Sequence, residues 1–292
     1  ADILLTDERV KAVTFVGTTG VGKQVYSKAA AHGKRVQAQC EAKNHALVLE
    51  DCNLEATVNA IINSTYGCAG MRCMALPVVC VQESIADEFV SLLKKKAEAM
   101  KLGCAYDEDT DLGPVVNAGH KEKICNWIQK GIDEGAELVL DGRNAVVPGY
   151  ENGFFVGPTI LDHVTPEMTV GNREIFGPVT CIKRVKDYEE GIAVMNANPF
   201  ANGSCIFTQS GYYSRKFAME TDGGMVGINV GIPVPTAYFP FSGNKDSFFG
   251  DLHVLGKDGY RFFTRAKTVT THWFDEAAGK RKVGTWEGST EA

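Results

Sequence analysis

Cys73 sits beside an arginine in the run Gly70-Met71-Arg72-Cys73-Met74, immediately before the apolar stretch Ala75 to Val81. Glycines at positions 67 and 70 allow close backbone approach there. A free thiol is only a few per cent ionised at neutral pH, and neighbouring cations or exposed backbone amides raise that fraction. Cys73 is therefore a candidate nucleophile, with a small packed or surface cysteine as the alternative. Arg72 has two readings, an ion-pair partner that supports the loop or a binder of an anionic substrate beside the nucleophile.

A second pattern with chemical potential is Gly17-Thr18-Thr19-Gly20-Val21-Gly22-Lys23, which follows the β-branched stretch Val10 to Val16. Its spacing, G-x-x-x-x-G-K, matches a nucleoside-triphosphate loop up to the lysine. Gln24 then stands where Ser or Thr would hold magnesium, and no later apolar run ends in an obvious metal-binding Asp, which excludes that chemistry. A glycine turn entering a helix can still accept the phosphates of a dinucleotide on its free amides. On spacing alone it can equally be a tight turn and nothing more.

The other eight cysteines (Cys40, Cys52, Cys68, Cys80, Cys104, Cys125, Cys181 and Cys205) form no C-x-x-C pair, and several lie in apolar surroundings such as Val78-Val79-Cys80-Val81. Neither a disulfide framework nor a metal site is expected, and reduced thiols suit a cytoplasmic or organellar-matrix protein. The 292 residues suffice for one large or two ordinary domains, with 44% hydrophobic and 23% charged residues. A net charge of -6 argues against nucleic-acid or anionic-membrane partners, which need a cationic face. No apolar run approaches the roughly 18 residues that span a bilayer. The start, Ala1-Asp2-Ile3-Leu4-Leu5, lacks both an initiating Met and the form of a signal peptide, so a processed chain or a fragment is expected.

The elements that must position these residues alternate. Strands are expected at Val10–Val16, around Val36, at Ala46–Leu49 and at Ala75–Val81, where Pro77 would fit best near the strand's start. Further strands are expected at Glu137–Leu140, Phe154–Leu161, Val179–Val185, Ser204–Thr208 and Met225–Val230. Helices are expected at Lys23–His32, Glu55–Thr65, after a Ser84 cap (Ile85, Phe89, Leu92, Leu93 and Met100 on one stripe), Lys121–Glu134, Tyr188–Asn196 and Tyr212–Glu220. The run Lys94-Lys95-Lys96 reads as a solvated face. Tyr260–Phe263 and Thr268–Trp273 read as strands, and the tail after Phe274 as a polar segment. This alternation implies an α/β fold with a largely parallel sheet, and weak boundaries fall near residue 40 and near 243–250.

Taken together, Gly70-Met71-Arg72-Cys73 and Arg173-Glu174-Ile175-Phe176-Gly177-Pro178-Val179 resemble the aldehyde dehydrogenase superfamily. Its strand-to-glycine-loop cofactor turn is matched by Thr14 to Lys23. The likeness tightens to the methylmalonate or malonate semialdehyde dehydrogenase branch through Gly33-Lys34-Arg35-Val36-Gln37-Ala38, Ala42-Lys43-Asn44-His45, Arg72 to Leu76 and Gly149 to Gly153. Val226 to Val230, Ile232 to Pro235 and Phe249-Gly250-Asp251 extend it, over about residues 8 to 273.

The resemblance implies an aldehyde dehydrogenase-like fold: a parallel-sheet catalytic domain (41–249) with a remnant of the dinucleotide-binding domain (1–40), an oligomerisation strand region (250–275) and a polar tail (276–292). It implies the C-terminal portion of such a subunit, without the family's oxyanion asparagine, ribose-binding lysine and one substrate-binding arginine. Cys73 would add to a small anionic aldehyde and carry the acyl group as a thioester, with Arg72 on the substrate carboxylate. NAD would be held by Gly17, Gly22, Lys23, Glu174 and Phe176. Most of the superfamily places a Glu general base before a Gly-Gly pair; here the corresponding position is read as Gln39, which cannot take a proton from water. The branch shares that lack and transfers its acyl group to coenzyme A. Two departures stand out: Cys40-Glu41 where small or apolar residues are usual, and Gly231 where the branch usually has Pro. Glu41 reads as a local substitution with altered packing rather than as a displaced base. The implied protein is an NAD-dependent, CoA-acylating homo-oligomer of the cytoplasm, or of the mitochondrial matrix in a eukaryote. A hydrolytic dehydrogenase and an inactive assembly subunit are the alternatives.

Overall fold

The computed structural model describes residues 1–273. In chain order its elements are α1 (Asp2–Thr6), β1 (Ala12–Val16), α2 (Thr19–Ala31), β2 (Arg35–Gln39), β3 (His45–Val48), α3 (Leu54–Tyr66), β4 (Val78–Gln82) and α4 (Glu83–Glu98). There follow α5 (Ala118–Asp133), β5 (Glu137–Leu140), β6 (Thr159–Asp162), β7 (Val179–Val185), α6 (Tyr188–Asn196), β8 (Phe200–Ala201) and β9 (Gly203–Phe207). The series ends with α7 (Gly211–Glu220), β10 (Met225–Ile228), β11 (Asn244–Lys245), β12 (Phe248–Phe249) and α8 (Gly256–Phe263).

Seven strands form one sheet in the order β10-β9-β3-β4-β7-β6-β5, parallel except where β5 meets β6. The central strands are buried along nearly their whole length because helices cover both faces, and most of their residues are apolar, with His45, Thr180, Lys183 and Ser204 among the buried exceptions. Ala46 and Val48 join a cluster with Ile61, Phe89 and Leu93, whereas Leu47 and Leu49 join one with Ile192, Ile206 and Phe217. That period of two comes directly from strand geometry. Each fully buried side chain such as Ile61 or Leu93 contributes about 1.5–3 kcal/mol. A smaller sheet, β1-β2-β12, pairs β1 with β2 in parallel and adds β12 antiparallel to β2.

The chain passes from the small sheet to the large one through residues 40–44, between β2 and β3. This crossing sets the site. The C-terminal edge of β1 and β2 meets the N-terminal edge of β3, β4, β7 and β9, whose first residues lie side by side (His45 opposite Val78 and Ser204; Val78 opposite Cys181).

The expected alternation is present, with local differences. Pro77 immediately precedes β4, and its missing N–H costs the ladder nothing there. The helix expected from Lys23 begins at Thr19, so Gly20 and Gly22 lie inside its first turns. Ser84 does not cap α4; its hydroxyl donates to Glu50 Oε2 instead (2.8 Å), and Gln82 holds the N-cap place. The strand expected from Phe154 forms only from Thr159. Tyr260–Phe263 is helical rather than extended: the Tyr260 and Phe263 spacing is also a helical period, and Gly256 supplies a left-handed entry (φ 55°). Thr268–Trp273 takes no strand pairing and is exposed. The glycine-rich 243–250 stretch folds into β11 and β12, paired with β8 and β2. The predicted tail, 276–292, lies outside the described residues.

Candidate active site

Cys73 lies in the loop from α3 to β4. Three consecutive residues, Cys68, Ala69 and Gly70, take left-handed backbone there (φ 52°, 54° and 69°). Only glycine adopts that conformation freely, so two of the three positions carry strain of about 1–3 kcal/mol each. Packing holds the turn in place. A Cβ on Gly70 would lie 2.2 Å from the carbonyl oxygen of Gly177. The loop of the thiol therefore rests directly on the Phe176-Gly177-Pro178 segment, and the two motifs that stood a hundred residues apart come into direct contact.

Buried amides fix the backbone of the thiol. Asn44, just before β3, donates from Nδ2 to the carbonyls of Cys73 (2.9 Å) and Ala75 (2.8 Å), while its Oδ1 accepts from Gly203 N (2.8 Å). Asn202, just before β9, donates to Cys73 O from the other side (3.1 Å) and accepts from Gln39 Nε2 (2.9 Å). Gln39 is buried at the end of β2, so this network links both sheets to one carbonyl. Of the nine cysteines, only Cys68 and Cys73 are exposed. The Cys73 thiol is nonetheless partly enclosed, which raises its pKa. The Glu174 charge adds to that rise, and the backbone N–H groups of Cys73 and Met74 oppose it. Support for a thiolate comes from amides, not from Arg72.

Arg72 turns away from the thiol. Its Nε donates to Gly67 O (3.0 Å) and Nη2 to Asn63 O (2.7 Å), the carbonyls that end α3. A cation suits a helix C-terminus. A Cβ on Gly67 would lie 1.3 Å from Nη2, so a side chain there would displace the guanidinium from this position. Of the two sequence readings, this geometry matches support of the loop.

Glu174 and Phe176 stand opposite. Glu174 Oε1 accepts from Ala42 N (3.1 Å), and burial lifts its carboxyl to a pKa of about 7, with a further rise from the Glu41 charge and opposition from Ala42 N–H, Lys43 and Lys123. Phe176 is left-handed (φ 60°) and partly exposed. Its carbonyl accepts from His120 Nε2 (2.7 Å), and its ring meets the His120 ring edge-on. That bond assigns the Nε2 proton to His120, since a carbonyl only accepts.

At the glycine turn, Gly17 N donates to Gln39 O (3.1 Å), and a Cβ on Gly22 would fall 2.3 Å from Cys40 Sγ. Lys23 pairs with Asp246 (3.1 Å) and lies over the Phe249 ring. Glu41 Oε2 accepts from Thr19 N (3.0 Å), the first residue of α2. Glu41 is therefore more than altered packing: it caps a helix whose own N-cap, Thr18, makes no side-chain bond. β2 itself carries no carboxylate, and Gln39 stands at its end. Gly231 also has a local reason, since a Cβ there would lie 2.5 Å from Ala60 O.

Sequence reasoning had not singled out Asn44, Asn202, Ser247 or His120. Asn44 lay within a quoted motif, but its role depends on a carbonyl supplied 29 positions away. Ser247 is wholly buried and joins the walls: its carbonyl accepts from Cys40 N (2.8 Å) and its hydroxyl donates to Glu41 O (2.7 Å).

Comparison with known proteins bears on this arrangement. The chain is 51% identical over 270 residues to malonate-semialdehyde dehydrogenase 2 of Oceanobacillus iheyensis, covering 92% of this chain and 55% of that protein. It is 50% identical over 269 residues to the acylating, mitochondrial methylmalonate-semialdehyde dehydrogenase of Arabidopsis thaliana, covering 92% and 44%. A protein of Sinorhizobium meliloti 1021 named putative methylmalonate-semialdehyde dehydrogenase, solved in complex with NAD, superposes with a TM-score of 0.92 at 42% identity, covering 94% of this chain and 56% of that one. The chain thus spans about half the length of the relatives it matches. The aldehyde dehydrogenase family model matches residues 1–269, and the chain belongs to that family.

Proposed function

We propose that this chain carries the thiol-bearing part of an NAD-dependent semialdehyde dehydrogenase that oxidises malonate or methylmalonate semialdehyde and passes the acyl group to coenzyme A. The observation that carries the reading is an exposed Cys73 whose backbone is held by Asn44 and Asn202 at the junction of two sheets. Relatives named for these semialdehydes, one of them acylating and one solved with NAD, support it.

In this reading Cys73 Sγ adds to the aldehyde carbon, and the carbonyl oxygen becomes an alkoxide that takes a hydrogen bond from the Cys73 amide. Loss of a hydride, the chemistry that nicotinamide supplies when bound, leaves an acyl-Cys73 thioester. The Glu174 carboxylate suits a ribose hydroxyl, with Phe176 beside it. The glycine turn fits less well, because Thr19 N and Lys23 are already engaged by Glu41 and Asp246. Acyl release needs an external nucleophile. Glu41 is tied to Thr19 N and β2 offers no base, which favours a thiol such as coenzyme A over water. Arg72 would meet the substrate carboxylate by releasing a carbonyl at the end of α3, at a gain of about 1.5–3 kcal/mol for a charged hydrogen bond. Residues 1–40 as cofactor-domain remnant, 250–275 as an oligomerisation segment, a homo-oligomeric assembly and a cytoplasmic or matrix location belong to the same proposal. Among the described residues no helix is long and apolar enough to cross a membrane.

Thioester trapping tests the reading. After incubation with malonate semialdehyde and NAD, mass spectrometry should find the acyl group on the Cys73 peptide, and coenzyme A should clear it. Cys73→Ser should lower turnover by about a thousandfold or more. Equal clearance with and without coenzyme A would refute acyl transfer, and an adduct at Cys68 instead would refute the assignment of the nucleophile.

A further inference from the structure

The groups at the glycine turn best suited to a phosphate are held by carboxylates of this same chain. Glu41 Oε2 accepts from Thr19 N at 3.0 Å, and Glu41 N donates back to Thr19 Oγ1 at 3.3 Å. Lys23, the one basic residue in the first two turns of α2, is on Asp246 at 3.1 Å. The Thr19 hydroxyl is itself committed, donating to Asp246 O at 3.0 Å.

Glu41 is placed there by the fold. Its carbonyl accepts from the buried Ser247 hydroxyl, and the preceding amide, Cys40 N, donates to Ser247 O. Packing of Cys40 against Gly22 keeps α2 close enough for the contact. α2 has no acidic residue in its own first turn and no side-chain bond from Thr18. The carboxylate that satisfies its N-terminus is therefore borrowed from the connection between the two sheets. A helix N-terminus draws a carboxylate and a phosphate by the same amides and the same dipole, so the two compete. Neighbouring groups register the local negative charge: Cys40 is pushed up to about 11 by burial first, then by Glu41 and Asp246.

We propose that Glu41 is an internal anion that closes the phosphate position at the start of α2, with Asp246 holding Lys23 out of reach. A diphosphate-containing cofactor binds this chain there only by displacing the Glu41 carboxylate. The inference rests on the reading of the turn as a cofactor contact. Glu41 then sets cofactor affinity from a position outside the reacting atoms. It acts by occupying the amides and by repelling the incoming charge.

Inorganic pyrophosphate, titrated into the 15N-labelled chain, tests it through the amide resonances of Thr19 to Gly22. Wild type should shift weakly, whereas Glu41→Ala should show saturable shifts confined to the turn. The gain in affinity should be about ten- to a hundredfold, the range for one charged hydrogen bond exchanged for another partner. Glu41→Gln, which keeps the side-chain size, carries the test if the alanine variant fails to fold, and should also bind tighter than wild type. Equal binding by wild type and variants at these amides would overturn the closure while leaving the turn a phosphate contact. No shift at the turn in any variant would overturn the phosphate reading and the closure with it.

Discussion

The thiol loop and the glycine turn are both tied to Gln39, the one through Asn202 and the other through Gly17 N, and their polar groups are used in opposite ways. In the loop, Asn44 and Asn202 converge on the Cys73 carbonyl and leave the thiol exposed. At the turn, Thr19 N and Lys23 are consumed by Glu41 and Asp246. One region is organised around an exposed thiol, the other around its own internal charges. Local motifs of equal apparent strength can thus differ in readiness, and the difference lies in partners far away in sequence.

The contrast can be broken from either side. The largest effect is expected for Gly70→Ala, which puts a methyl 2.2 Å from Gly177 O at a left-handed position. It should cost about 3 kcal/mol or more in denaturant unfolding and separate the two motifs. Asn44→Ala removes the bonds to Ala75 O and Gly203 N and leaves the Cys73 carbonyl with Asn202 alone. A loss of about 2–3 kcal/mol should follow, together with a changed alkylation rate at Cys73.

Next comes the pH dependence of Glu174. Its folded pKa, about 7, lies above the ordinary 4.5, so its protonated form stabilises the fold. That contribution is complete below about pH 4.5 and fades as the pH rises through 7. Relative to Glu174→Gln, wild type should lose about 1–3 kcal/mol across that window, read from unfolding midpoints at each pH. A flat difference would remove Glu174 from the buried wall. The smallest effect is expected for Glu41→Ala, about 0.5–1 kcal/mol from loss of a helix cap, even as pyrophosphate binding improves. A stabilised variant would contradict the capping role.

Much of the fold was legible because its central strands are rich in apolar and β-branched residues and its helices amphipathic. Val179–Val185 and Tyr188–Asn196 have the bounds that their patterns predict. The misses have physical causes. Tyr260–Phe263 combines aromatic residues with a spacing that suits either period, and the left-handed Gly256 entry selects the helix. Ser84 satisfied the cap pattern, yet the helix starts one residue before it, at Glu83, so its hydroxyl lies inside the first turn and donates to Glu50. At the candidate site, Cys73, Glu174 and Phe176 were picked out as candidates from motif residues. Asn44, Asn202, Ser247 and His120 act on atoms 29 to 206 positions distant, beyond what local pattern can register.

The sequence by itself determined that the chain alternates strand and helix and carries a cysteine in a glycine-bearing loop, because side-chain periodicity and backbone freedom are local properties. Tertiary structure alone decided what those residues face. It turned Arg72 onto the end of α3, set Gly70 against Gly177, and seated Glu41 on the first amide of α2. Hydrogen bonding and charge fall off over a few ångströms, so their partners are chosen by packing, not by position along the chain.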